Sequence, residues 1–292
     1  SWTYFAAIGY APDESNHALN LSVLGAGQWH HQRDVWVSIR DYDYFGEDGI
    51  DQRWNSNGGT LNGEEYNMRR NFYNKPLATF NWDWQIADNV ELATSLYASA
   101  GRGGGTGPRG RNYDVLPFQQ DLYTFMVERG VTDFRNPDGT VNFDAVVADN
   151  RAGASPYTGT IGGFAGSLIG ANGFRDDGVF RSGMVRRASM NSHDWVGAIS
   201  NLEIESGNFR YSIGVDLRNY KGYHYRVLND LLGFDAYYST GNKNSAGQII
   251  ETTVNASPFQ NTGIRGPKID YFNVGYVGWQ GVNGLVEYND DE

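Results

Sequence analysis

Residues 209–217 read Phe-Arg-Tyr-Ser-Ile-Gly-Val-Asp-Leu: every odd position is large and apolar, every even one polar, charged or glycine. A period of two puts Phe209, Tyr211, Ile213, Val215 and Leu217 on one face of a strand and Arg210, Ser212, Gly214 and Asp216 on the other. The stretch is about the 9–11 residues that a tilted strand needs to cross a bilayer. A single such strand also suits a soluble sheet, so its recurrence carries the weight.

The pattern does recur. Segment 2–10 sets Trp2, Tyr4, Ala6, Ile8 and Tyr10 on one side, and 17–30 sets Leu19, Leu21 and Val23 against Asn20, Ser22 and Gln28. Segment 77–86 alternates Ala78, Phe80, Trp82, Trp84 and Ile86 with Thr79, Asn81, Asp83 and Gln85. Segments 90–100, 192–204, 209–220 and 277–288 complete about seven predicted strands. Their connections alternate in length. Short polar turns at 11–16, 87–89 and 205–208 join one end, and the long stretches 34–74, 101–190 and 222–275 join the other. Within the long stretches, short helices are expected near 117–129, 142–150 and 225–232. Compact soluble domains rarely hold structureless loops beyond about 12–15 residues. Outer-membrane barrels have short periplasmic turns and long extracellular loops. The expected fold is therefore all-β: an antiparallel transmembrane β-barrel segment, with its short turns towards the periplasm.

Composition agrees with this class and excludes others. Glycine is abundant at 38 and aromatics reach 14%, while the net charge of −11 argues against a nucleic-acid partner. Cysteine is absent, which removes disulfides and thiolate metal sites. No apolar run is long enough for a transmembrane helix. The mean hydropathy of −0.53 has a soluble look, which is also what alternating barrel strands produce. The chain opens with Ser-Trp-Thr-Tyr-Phe, without a signal peptide, and stops at Asn289-Asp290-Asp291-Glu292. It is expected to be a piece of a longer protein.

Few residues suggest chemistry. Trp29-His30-His31 closes a strand near the outer rim and reads either as a ligand contact or as an interfacial tryptophan with polar neighbours. His193 and His224 also fall near the rim, so a histidine cluster is open, although sequence spacing alone does not bring them together. Gly101–Gly110 lacks the Gly-Lys-Ser/Thr ending of a phosphate loop and reads as a flexible loop root. Asp41, Asp43, Glu47, Asp48 and Asp51 only partly match a calcium loop, and a solvated acidic loop is the alternative. No catalytic constellation stands out, so no enzyme activity, cofactor or metal is expected.

Several stretches resemble the barrel of TonB-dependent outer-membrane receptors of the Bacteroidetes type. They are Gly25-Ala26-Gly27-Gln28-Trp29-His30-His31-Gln32-Arg33, Tyr97–Gly105, Asn191–Ser200 and Gly214–Tyr225, in the family's order and spread across residues 17–288. The resemblance implies that residues 1–292 are part of a 22-stranded barrel domain whose plug domain and remaining strands lie elsewhere. It implies the bacterial outer membrane as location, and energised import of a scarce ligand: siderophore, cobalamin or oligosaccharide. The implied partners are outer-membrane lipid, the receptor's own plug, the TonB complex and a surface lipoprotein. In this register Arg210, Asp216 and Arg218 face the lumen, where they either pair internally or meet the plug. A soluble secreted glycan-binding protein and a passive porin are the competing readings.

Overall fold

The computed structural model describes residues 2–33, 36–47, 49–110, 121–130, 132, 134–153, 168–170, 175–176, 179–180, 183–239, 247–259 and 264–290. In chain order the elements are β1 (Trp2–Tyr10), β2 (His17–His31), α1 (Ile39–Phe45), β3 (Gly58–Leu61), β4 (Glu64–Asn67), β5 (Arg70–Asn74), β6 (Leu77–Ala87) and β7 (Val90–Gly110). A π-helical turn at Thr124–Glu128 follows, then β8 (Val141–Asn142), α2 (Phe143–Gly153), β9 (Leu168–Gly170), β10 (Arg175–Asp176) and β11 (Val179–Phe180). The chain continues with β12 (Met184–Ser206), β13 (Phe209–Asp230), β14 (Ala236–Ser239), β15 (Gln248–Ile250) and β16 (Ile269–Tyr288).

One large antiparallel sheet organises the molecule, in the order β1-β2-β5-β7-β12-β13-β16, with β6 also between β2 and β7. Sequence neighbours therefore pair in order, as the alternation predicts. β5 and β6 act as one strand broken at Lys75-Pro76. β5 pairs with His31 to Gln28 at the upper end of β2, and β6 with Leu24 to His17 at the lower end. A proline has no N–H for the ladder, and the break falls where it stands.

The short turns share one end. The carbonyls of Asn16, Asn89 and Asn208 accept hydrogen bonds from the amides of Gln85, Glu205 and Asn289, each on the next strand across. Between β12 and β13 the turn is Gly207-Asn208, with φ +57° at Gly207, which suits the first central position of a type II′ hairpin. The long connections meet at the other end. There β3 pairs with β8, joining the first to the second, and β9 pairs with β14, joining the second to the third. Asp41, buried in α1, accepts the amides of Leu122 at 3.2 Å and Tyr123 at 2.7 Å, a further tie between the first and second.

Three expectations need correction. The helix expected at 225–232 is strand: β13 runs on to Asp230, paired with β12 on one side and, up to Arg226, with β16 on the other. Two-sided pairing overrides the helical spacing of Tyr225, Leu228 and Leu232. Gly101–Gly110 is the upper half of β7, buried or half-buried throughout, not a flexible root. Its glycines make room: a Cβ at Gly101 would stand 2.3 Å from the His193 ring. The region 34–74 is not irregular throughout, since it holds α1 and three strands. The helix expected at 142–150 stands as α2. The one expected near 117–129 is reduced to the π-helical turn, with residues 117–120 outside the described residues.

Candidate functional site

Cross-strand partners share a face, so the register assigns every side chain of the sheet. One row runs Ile8, Leu21, Phe80, Leu96, Ala198 and Leu217, and another Trp84, Leu92, Leu202 and Ile213. This face is apolar across the lower half of the sheet, and it is bare. Ile8 is 70% exposed, Ile213 52% and Val282 80%. A contiguous apolar surface on this scale marks an interaction surface, towards protein or membrane. Aromatic rings stand at both ends of the bare zone. Tyr10, Trp82, Trp84, Phe209, Tyr211 and Tyr288 lie towards the short turns, with Trp82 and Trp84 stacked at 5.7 Å. Trp2, Tyr4 and Trp29 lie towards the long connections.

Charged groups appear on this face where the bare zone ends. Arg102 donates to Asp194 at 2.7 Å, and Tyr223 donates to the other carboxylate oxygen at 2.9 Å. Lys221 sits 5.1 Å from the Tyr223 and Tyr276 rings. Above that line the same face is covered. Phe72, Ala188, Met190, Tyr225 and Val227 are buried beneath Val254, Ala256 and Ile264. Phe259 from the covering segment reaches Trp2 and stacks on it at 5.4 Å.

The opposite face carries a polar column up β12 and β13. Arg210 pairs with Glu205 at 2.8 Å, and Ser212 donates to Asn201 at 2.9 Å. Higher up, Arg218 pairs with Asp216 at 3.1 Å and donates to the Tyr97 hydroxyl at 3.1 Å, beside Trp195. Arg210, Asp216 and Arg218 therefore share this face, all with internal partners. His193 follows, against Ser99 and the Tyr220 ring. At the edges of the sheet the contrast weakens: Phe5 on β1 and Trp279 on β16 are exposed apolar residues on the polar side.

The histidines do not converge. His30 and His31 are sequence neighbours on opposite faces of β2. His193 and His224 share the polar face of β12 and β13 but are separated from β2 by β5 and β7. Among the described residues no three metal-capable side chains cluster. The acidic cluster does not form a solvated loop as a unit. Asp41 is buried in its structural role, Asp51 accepts the Arg53 amide at 2.7 Å, and Asp48 lies outside the described residues. Trp29 is capped by the Arg70 guanidinium at 3.9 Å, and His31 meets Glu65 at 2.9 Å. His31 and Glu65 line an open cleft of about 590 Å³ with Arg33, Arg53, Trp54 and Asp138, large enough for a small ligand.

Sequence reasoning missed the outer end of the polar face. Arg109, Arg187 and Arg226 gather there around Asp270. Burial, followed by the neighbouring Arg226 and Arg69, pulls the Arg187 guanidinium down to about 10. Burial and then Asp270 push Tyr237, which packs above, up to about 12. The signal was present in the alternation of Tyr223, Tyr225 and Val227 with His224 and Arg226, but it lies beyond the length of a membrane strand. The chain matches no protein-family model, no curated protein and no solved structure.

Proposed function

We propose that this chain forms part of an outer-membrane β-barrel and serves a TonB-dependent importer. One observation carries the reading: the sheet is inverted relative to a soluble one. Its large aliphatic side chains are bare over the lower half of one face, while the polar groups opposite are paired with one another. The bare stretch Phe209–Leu217 on β13 has about the length of a tilted membrane strand, and aromatic rings bound it at both ends. Long connections that fold together at the end away from the short turns supply the ligand-facing side. The cleft beside His31 and the polar column are the surfaces available to ligand and plug.

The test sets two neighbours against each other. Ile213→Arg puts a charge on the bare face and should cost about 2–4 kcal/mol on folding into lipid vesicles. Ser212→Arg puts the same charge on the polar face beside Asn201 and should cost much less. Equal costs in urea titrations, or a larger cost for Ser212→Arg, would reject the membrane assignment.

A further inference from the structure

At its outer end the polar column finishes in three arginines, Arg109, Arg187 and Arg226, around one carboxylate among the described residues, Asp270. Asp270 on β16 accepts Arg109 of β7 on one oxygen at 2.9 Å and Arg226 of β13 on the other at 2.8 Å. Arg187 of β12 stands between these strands without a carboxylate of its own among the described residues. Its Nη1 donates to the Gly105 carbonyl and the Ser189 hydroxyl, both at 3.2 Å. The same hydroxyl accepts Arg226 Nε at 3.3 Å, which locks the two guanidinium groups side by side. Arg187 Nη2 makes no hydrogen bond among the described residues. Gly107 gives the forks room: a Cβ there would lie 2.6 Å from Arg69 Nη1 and 2.9 Å from Arg187 Nη2.

The backbone is shaped around this group. Asp270 holds φ +59°, a left-handed conformation that a non-glycine residue keeps only when its surroundings enforce it. Register shifts fall between Arg186 and Arg187 and between Tyr225 and Arg226, so bulges re-aim the charged side chains. The groups are not sealed: Arg109 and Arg226 keep 25% and 22% of their side-chain surface exposed, against 12% for Asp270. A purely structural role accounts for Arg109–Asp270–Arg226. It does not account for Arg187, because a half-buried cation beside like charges costs stability unless an anion offsets it. The surplus also runs against a chain of net charge −11.

We propose that Arg187, with Arg226 and Arg109, forms a binding site on the polar face for a ligand bearing two or more negative charges on neighbouring oxygens. Guanidinium forks match carboxylate and phosphate oxygens in pairs. The site deepens the importer reading by naming the ligand's charge class. It rests on that reading for the ligand's transport, not for its binding.

The experiment is calorimetric titration of the folded chain in detergent micelles with citrate, with pyrophosphate, and with maltotriose as neutral control. Citrate or pyrophosphate should bind, maltotriose should not, and Arg187→Gln should weaken the bound anion at least tenfold. Preference for citrate marks carboxylates, and preference for pyrophosphate marks phosphates. Arg40→Gln, an exposed cation on α1 away from this face, should leave affinity unchanged. Gly107→Ala keeps every charge but crowds the forks, and should also weaken binding, so the outcome does not depend on Arg187→Gln folding well. Absence of binding by the folded wild-type chain, or wild-type affinity retained by both Arg187→Gln and Gly107→Ala, would overturn the site. Equal lipid costs for Ile213→Arg and Ser212→Arg would remove the importer reading and leave anion binding standing.

Discussion

The apolar face of the sheet has two halves built from the same strands with opposite surroundings. Below Asp194 and Lys221 its side chains are bare, as at Ile213 and Val282. Above them, on the same faces of β12 and β13, Met190, Tyr225 and Val227 are buried under the segment that carries Val254, Ala256 and Ile264. The difference teaches that alternation decides which face is apolar and the connecting segments decide what covers it. The upper half supplies its own cover from the chain. The lower half has no such cover among the described residues. The charges of Arg102, Asp194 and Lys221 stand where the cover ends.

The largest expected effect tests whether the upper half depends on the chain alone. Phe72 is fully buried against the Met190 and Tyr225 cluster, so Phe72→Ala should cost about 3–5 kcal/mol. Denaturant titrations should return the same cost in detergent and in lipid. A cost seen in lipid but absent in detergent would erase the distinction between the halves. A middle-sized effect comes from Asn150 on α2. Its amide donates to the Met184 carbonyl at 2.9 Å and the Leu232 carbonyl at 2.7 Å, and its oxygen accepts the Met184 amide. Asn150→Ala should cost about 1–3 kcal/mol by stranding buried backbone groups. Fluorescence of Trp82 and Trp84 in vesicles should not change; a shift there would couple α2 to the bare half.

The smallest effect is a pH dependence confined to the outer connections. The amide of Thr124, and then Arg40, hold the Asp121 carboxyl below its ordinary 3.8. A depressed carboxylate contributes fully above the unfolded value and loses its contribution as pH falls through the folded one. Protection of the Thr124 amide from exchange should therefore persist at pH 5 and decline only below about 3.8. Both Asp121 and Arg40 are well exposed, so the effect on overall stability is slight. Loss of protection well above that value would show that the carboxylate does not hold the turn.

How much of this was legible follows from how strands announce themselves. The lower halves were readable because only one face is apolar, and residues such as Phe80 and Trp82 stand out between Thr79, Asn81 and Asp83. The upper halves were not. There both faces meet protein, so Val185, Ala188 and Leu228 are buried on either side and strict alternation fades. Gly103, Gly104 and Gly105 imitate a loop, although at Gly103 and Gly104 the close approach of β5 and β12 is what demands glycine. The arginine cluster was hidden for the same reason: Arg109, Arg187, Arg226 and Asp270 come from four strands, and all four lie in stretches read as connections. Asp270 owes its position to a bulge that no periodicity reveals.

The alternation of short and long connections also distributes the entropy of the sheet unevenly. Closing a loop costs about 0.6 kcal/mol more for each doubling of its length. The two-residue turns after β6 and β12 close almost without chain to order, while the connections across 111–183 and 231–268 each cost about 2.5–3 kcal/mol more. The conformational debt of the whole molecule therefore sits at one end. The parallel pairings of β3 with β8 and of β9 with β14, which tie the long connections to each other, are where contact energy offsets it.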